Sequence, residues 1–138
     1  MRKRTKAREF ALQVLYQIDI TGDACGDSLS AFWQSCVEDG AEEEVKQFTS
    51  DLVTGVTEKL ADIDEKISQY ATNWRLDRMA FVDRNILRLG CYELLFRQDI
   101  PPKVSINEAV ELAKKYSTQE AAKFVNGILD KVKIEKEK

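Results

Sequence analysis

The sequence has no histidine, and its three cysteines, Cys25, Cys36 and Cys91, show no C-x-x-C spacing. Without histidine, Ser-His-Asp and Cys-His catalysis are excluded, as are most zinc sites. Cys36 and Cys91 fall on apolar helical faces, so buried free thiols in a reducing cytoplasm are expected. Proline occurs only as the adjacent pair Pro101 and Pro102, and glycine is sparse. No glycine-rich phosphate loop is present, since Gly55 in TGVTEK lacks the P-loop spacing. No alternating strand pattern competes with the long 3.6-residue periodicities. No continuous apolar run follows the basic start, because Gln13, Gln17 and Asp19 interrupt it. Neither a signal peptide nor a membrane span is therefore expected. Carboxylates are plentiful, but nothing places two of them together in a pocket. The expectation is a protein that is not an enzyme and uses neither cofactor nor metal.

What is there is helical. The 138 residues are 43% hydrophobic and 33% charged, a globular composition long enough to bury one core. The stretch FVDRNILRLGCYELLF, residues 81–96, is apolar over most of its circumference, as suits a central helix packed on several sides. Val82, Ile86 and Leu89 share one face, and Leu87, Cys91, Leu94 and Leu95 the adjoining one. Arg84 and Arg88 form a narrow solvent strip, with Asp83, Asn85 and Glu93 at its margins. Gly90 in mid-helix costs about 1 kcal/mol relative to Ala, which marks a close helix crossing.

A first amphipathic helix is expected over residues 5–20, with Ala7, Ala11, Val14, Leu15 and Ile18 inward and Arg4 and Arg8 flanking the stripe. Arg2, Lys6, Gln13, Tyr16 and Gln17 project from the opposite side. After a loop at TGDACGD, Asp27 or Ser28 caps a short helix with Leu29, Phe32, Trp33, Cys36 and Val37 inward, ended by Gly40. The acidic run Glu42, Glu43 and Glu44 opens a third helix, opposing the positive end of its dipole. Its buried face is Val45, Phe48, Leu52, Val53, Val56 and Leu60. Asp62 caps a fourth helix with the stripe Ile63, Ile67, Tyr70 and Trp74, and NWRLDRM connects into the central helix. Ser105 and Glu108 form a capping box for a sixth helix, with Ile106, Ala109, Val110, Ala113 and Tyr116 inward. Ser117 and Glu120 repeat it for a seventh, with Ala121, Val125, Ile128, Leu129 and Val132 inward. The KIEKEK tail frays. The fold class is all-α, a bundle of about seven helices.

The net charge is −3, yet Arg2, Lys3, Arg4, Lys6 and Arg8 all precede the first acid, Glu9. Lysine and arginine suit phosphates in a sequence-blind, salt-sensitive way. Exposed aromatic rings suit single-stranded bases, at about 1–3 kcal/mol per base. Tyr16 and Phe124 are candidates for that role, and Asn126 can hydrogen-bond a base edge. Phe124 lies at the edge of the last helix's core face and shares its side with Glu120, with Lys123 and Asn126 more exposed. The competing readings are structural: Tyr16 leaning on a neighbouring helix, Phe124 tucked under the first helix, Asn126 and Gly127 as a packing pair, and Tyr70 and Trp74 as core.

RNILRLGCYELLF, VSINEAVELAKKY and KFVNGILD, with AREFALQVLYQ, DLVTGV and the W-x-x-x-R-M-x-x-V-D-R connector, resemble the bacterial NusB antitermination family along almost the whole chain. The resemblance implies two small helical subdomains, about residues 1–74 and 75–134. It implies a transcription antitermination factor that pairs with the ribosomal protein NusE and binds boxA, a single-stranded RNA element in nascent transcripts, notably of ribosomal RNA operons. Other Nus factors and RNA polymerase complete the termination-resistant complex. The resemblance implies an RNA face of Arg2, Lys3, Arg4, Lys6, Arg8, Tyr16, Glu120, Lys123, Phe124 and Asn126. Asp83 matches a carboxylate position associated with NusE, and the adjoining Arg84 is either part of that surface or a structural ion-pair partner. Similar proteins occur as monomers and as homodimers, and a dimer could hide the RNA face. The rivals are a detached NusB-like domain of a ribosomal RNA cytosine methyltransferase, a protein-only adaptor, and a hydrolase with a carboxylate pair.

Overall fold

The computed structural model describes residues 2–35 and 42–138, which form seven α-helices and one 3₁₀ turn without a strand. The chain divides into two compact units, Met1–Glu58 and Lys59–Lys138.

The first unit holds α1 (Lys3–Thr21), α2 (Cys25–Ser35) and α3 (Glu43–Glu58). Gly22 ends α1 in the left-handed region at φ 75°, where its N–H donates to the Ile18 carbonyl. That conformation favours glycine. α1 packs on α2 and α3. Ala7, Ala11, Val14 and Leu15 are buried as expected, and Phe10 and Leu12 join them. They share the core with Val45, Phe48, Leu52, Val53 and Val56. Phe10, Phe32 and Trp33 meet edge to face, with centroids 5.1–5.7 Å apart, the arrangement that ring quadrupoles favour. α2 begins at Cys25, so Asp27 lies in its first turn instead of capping it. Cys36, Val37 and Gly40 lie outside the described residues.

The second unit holds α4 (Leu60–Tyr70), the 3₁₀ turn Leu76–Arg78, α5 (Phe81–Phe96), α6 (Pro102–Tyr116) and α7 (Gln119–Glu137). α5 packs on α4, α6 and α7. The expected boundary near Trp74 thus moves to the start of α4, which packs with α5 and α7. Leu60 opens α4 and is exposed, and Asp62 sits in the first turn behind an N-cap at Lys59. Gly90 is a crossing point as expected: a Cβ there would lie 2.5 Å from Leu129 Cδ1 and 3.4 Å from Ala109 Cβ.

The solvent strip expected on α5 is largely buried. Arg88 is 8% exposed. It donates to both Asp64 carboxylate oxygens at 2.8 and 2.9 Å and to Asn85 Oδ1 at 3.2 Å. Glu93, also buried, accepts from Ser105 Oγ at 2.8 Å. That bond replaces the expected capping box. Pro102, at the first position of α6, starts the helix early and carries Ser105 into its body, consistent with proline's preset φ. At α7 the cap is Thr118, whose Oγ1 accepts from the Ala121 N–H at 2.9 Å. Tyr116 is exposed, and Leu112 and Ala122 are core residues that the stripes omitted. The tail is helical through Glu137. Glu135 pairs with Lys66 at 2.9 Å and accepts from the Tyr70 hydroxyl, and Lys136 donates to the Leu94 carbonyl. No helix among the described residues is long and apolar enough to cross a membrane.

Candidate nucleic-acid interface

The basic cluster opens α1, and its cations lean on the unit's own groups. Lys3 bridges Glu42 at 2.8 Å and Glu44 at 3.3 Å. Hydrogen bonding to Glu42 above all, then Glu44, raises the ammonium above its ordinary pKa of 10.5. The Arg4 guanidinium lies 4.4 Å from the Phe48 ring centroid, and the Lys6 ammonium 4.9 Å from that of Phe10. Arg2, Lys3, Arg4 and Lys6 remain exposed. Arg8 does not share that surface. It is 3% exposed, with its guanidinium 5.4 Å from the Phe48 ring centroid. Its place at the flank of the apolar stripe brings it against Phe48 of α3 and buries it. Tyr16 is 37% exposed, roughly 15 Å farther along α1 than Lys6 at 1.5 Å per residue.

In the second unit Lys123, Asn126 and Glu120 on α7 are exposed. Phe124 is half-buried, but its neighbour is another aromatic ring. Trp74 meets it with centroids 5.8 Å apart and planes at 66°. Trp74 is 61% exposed, which corrects its expected place in the core. α4 stops at Tyr70, with Ala71 at φ −90° and ψ 60°, and the chain leaves the helical path before the tryptophan. The polar pair Thr72 and Asn73 was the available signal, since the i+4 extrapolation from Tyr70 assumed an unbroken helix. Gly127 is exposed, and a Cβ there would meet nothing within 4 Å, so Asn126 and Gly127 are not a packing pair.

Trp74 and Phe124 border a cleft of about 240 Å³ that Arg78, Met79, Asp83 and Glu120 also line. Asp83 is half-buried and accepts from Ser117 Oγ at 2.6 Å. Arg84 lies 4.3 Å from the Phe81 ring centroid and donates to the Leu76 carbonyl at 3.3 Å. It lines a wider, polar cleft of about 610 Å³ with Asn73, Arg75 and Asp77. Asp83 and Arg84 thus have structural partners within the second unit, and each borders a cleft.

The remaining chemistry is quiet. Burial pushes the Cys91 thiol up to about 12, so it is a packed sulfur and not a nucleophile. Among the described residues no group of His, Cys, Asp and Glu could hold a metal ion.

The NusB family model matches residues 5–133 of the chain. The transcription antitermination protein NusB of Anaeromyxobacter dehalogenans (strain 2CP-1) is 54% identical over 130 residues, spanning 94% of this chain and 89% of that protein. The solved structure of T. maritima NusB superposes with a TM-score of 0.85 at 38% identity, covering 98% of this chain and 92% of that one. A crystal structure of antitermination factors NusB and NusE in complex with dsRNA gives a TM-score of 0.85 at 31% identity, covering 98% of each chain.

Proposed function

The chain belongs to the NusB family, and from that premise we propose that it is a transcription antitermination factor that pairs with NusE and binds boxA-like RNA. The observation that carries this reading is the match, over 94% of the chain at 54% identity, to a transcription antitermination protein NusB. A structural neighbour of the same fold is a complex of NusB and NusE with dsRNA. In this reading Arg2, Lys3, Arg4 and Lys6 supply positive charge from the first unit. Tyr16 supplies a ring from the same unit, and in the second unit Lys123, Phe124 and Asn126 supply charge, a ring and an amide, with Glu120 on the same helix. Asp83 and Arg84 face NusE. The assembled complex keeps RNA polymerase, with other Nus factors, in a termination-resistant state in the cytoplasm.

The test is binding of a boxA-like single-stranded RNA, with and without NusE, at two salt concentrations. A scrambled strand and a duplex of the same sequence serve as controls. The expected result is tighter binding with NusE, preference for boxA over the scrambled strand, and weakening by salt. No RNA preference with or without NusE would favour a protein-only adaptor. The basic cluster itself gives that rival some support, because Lys3, Arg4 and Lys6 have partners inside the first unit.

A further inference from the structure

Resting on the RNA-binding reading, we propose that Trp74 and Phe124 form an aromatic corner that takes one unpaired nucleobase, with Trp74 as its principal stacking surface. Tryptophan is among the most buried residue types on average, yet Trp74 is 61% exposed. It does not stand alone. Phe124, Met79, Ala80 and Ala121 line the same cleft, so the exposed indole has other apolar side chains beside it.

The geometry favours a flat occupant. The two rings meet at 66° with centroids 5.8 Å apart, which makes a corner and not a stack. A planar group can lie against one ring while its edge meets the other. The cleft, about 240 Å³, falls below the roughly 300–1,000 Å³ of most small-molecule sites, a scale that suits one heterocycle.

Charge then separates base from backbone. Glu120 lines the cleft and would repel a phosphate. A carboxylate accepts hydrogen bonds from the amino group of a base such as cytosine. Arg78 lines the same cleft and can meet the phosphate attached to a base lodged in the corner. The base therefore points in and its phosphate points toward Arg78.

The experiment uses the full chain, NusE and an end-labelled boxA-like single-stranded RNA. Affinity is read by anisotropy of the label, and contact by tryptophan emission. RNA is expected to quench emission in wild type and in Trp33→Phe, which retains Trp74, but not in Trp74→Phe. Trp74→Ala is expected to weaken binding by roughly five- to hundredfold. Its salt dependence and melting temperature stay at wild-type values, and Trp74→Phe loses less affinity. Wild-type affinity in Trp74→Ala with no quenching by RNA would overturn the corner while leaving RNA binding intact. Quenching by NusE alone, with no further change on adding RNA, would make the corner a protein contact and also overturn it. If wild type shows no RNA preference at all, the RNA-binding reading itself falls and the corner with it.

Discussion

Two glycines within helices of the second unit, Gly90 in α5 and Gly127 in α7, have opposite surroundings. A Cβ on Gly90 would sit 2.5 Å from Leu129 Cδ1, and Leu129 is fully buried. Gly127 has open space around it. Gly127→Ala should therefore gain about 0.5–1 kcal/mol from helix propensity alone. Gly90→Ala gains the same propensity but must displace Leu129 within a packed crossing, at about 1–3 kcal/mol. Its net effect should be a lower melting temperature, while Gly127→Ala melts above wild type. A Gly90→Ala protein as stable as wild type would mean that the crossing has slack. Gly90 was legible in the sequence because a glycine inside an otherwise apolar helix weakens it unless a neighbour must come close. Arg88, Asn85 and Glu93 were not, since polar residues on one side of a helix read as a solvent strip. Their burial depends on Asp64 and Ser105, which other helices supply. Pairing of that kind is a property of the fold, and periodicity within one helix does not contain it.

The elements themselves follow the apolar periods closely, and their ends do not. α5 occupies the span its periodicity predicted, residues 81–96. The starts of α6 and α7 depart from their serine signals for different reasons. At α6, Pro102 overrides Ser105, because a preset φ at the first position outweighs an optional side-chain cap. At α7, Thr118 takes the cap while Ser117 turns its hydroxyl to Asp83. The tail was expected to fray as a chain terminus, but Glu135 and Lys136 in it have partners. Tyr70 and Lys66 hydrogen-bond Glu135 and hold its carboxyl below the ordinary 4.5. The same bond to Glu135 holds Tyr70 above its ordinary 10.0. The signs follow by linkage. A depressed carboxyl contributes order above its unfolded pKa and loses it as pH falls through the folded value. A raised phenol contributes below its unfolded pKa and loses it as pH rises through the folded value. The last turn of α7 should thus be ordered at neutral pH and loosen at both extremes. Cα chemical shifts of residues 133–137 across a pH titration would follow it. Glu135→Gln should remove the acid transition, and a tail whose shifts ignore pH would show that Glu135 does not hold it.

For the molecule as a whole, the net charge of −3 argues against nucleic acid, so the reading depends on where the charge lies. The exposed cations of the basic cluster belong to the first unit, and Lys123, Phe124 and Trp74 to the second. Removing residues 1–6 would test the cluster poorly, because α1 begins at Lys3 and its first turn would go with them. Replacing Arg2, Lys3 and Lys6 by glutamine keeps the helix. The Lys3 pairs to Glu42 and Glu44 are exposed, and such pairs contribute little to stability. The triple variant should then melt like wild type but bind RNA more weakly. Its log–log salt slope should be shallower by roughly 0.7 for each phosphate of a single strand that it no longer neutralises. Phe124→Ala should do the opposite, lowering affinity while leaving the slope in place, because stacking releases no counterions. Combining the two sets tests whether one RNA uses both units. Independent interactions with the same strand give losses that add within about 0.3–0.5 kcal/mol. If the triple variant keeps wild-type affinity at both salts, the basic cluster is solvated surface and the second unit carries RNA recognition alone. If Phe124→Ala flattens the slope, removing the ring has displaced charged neighbours such as Lys123, and the ring acts by positioning them.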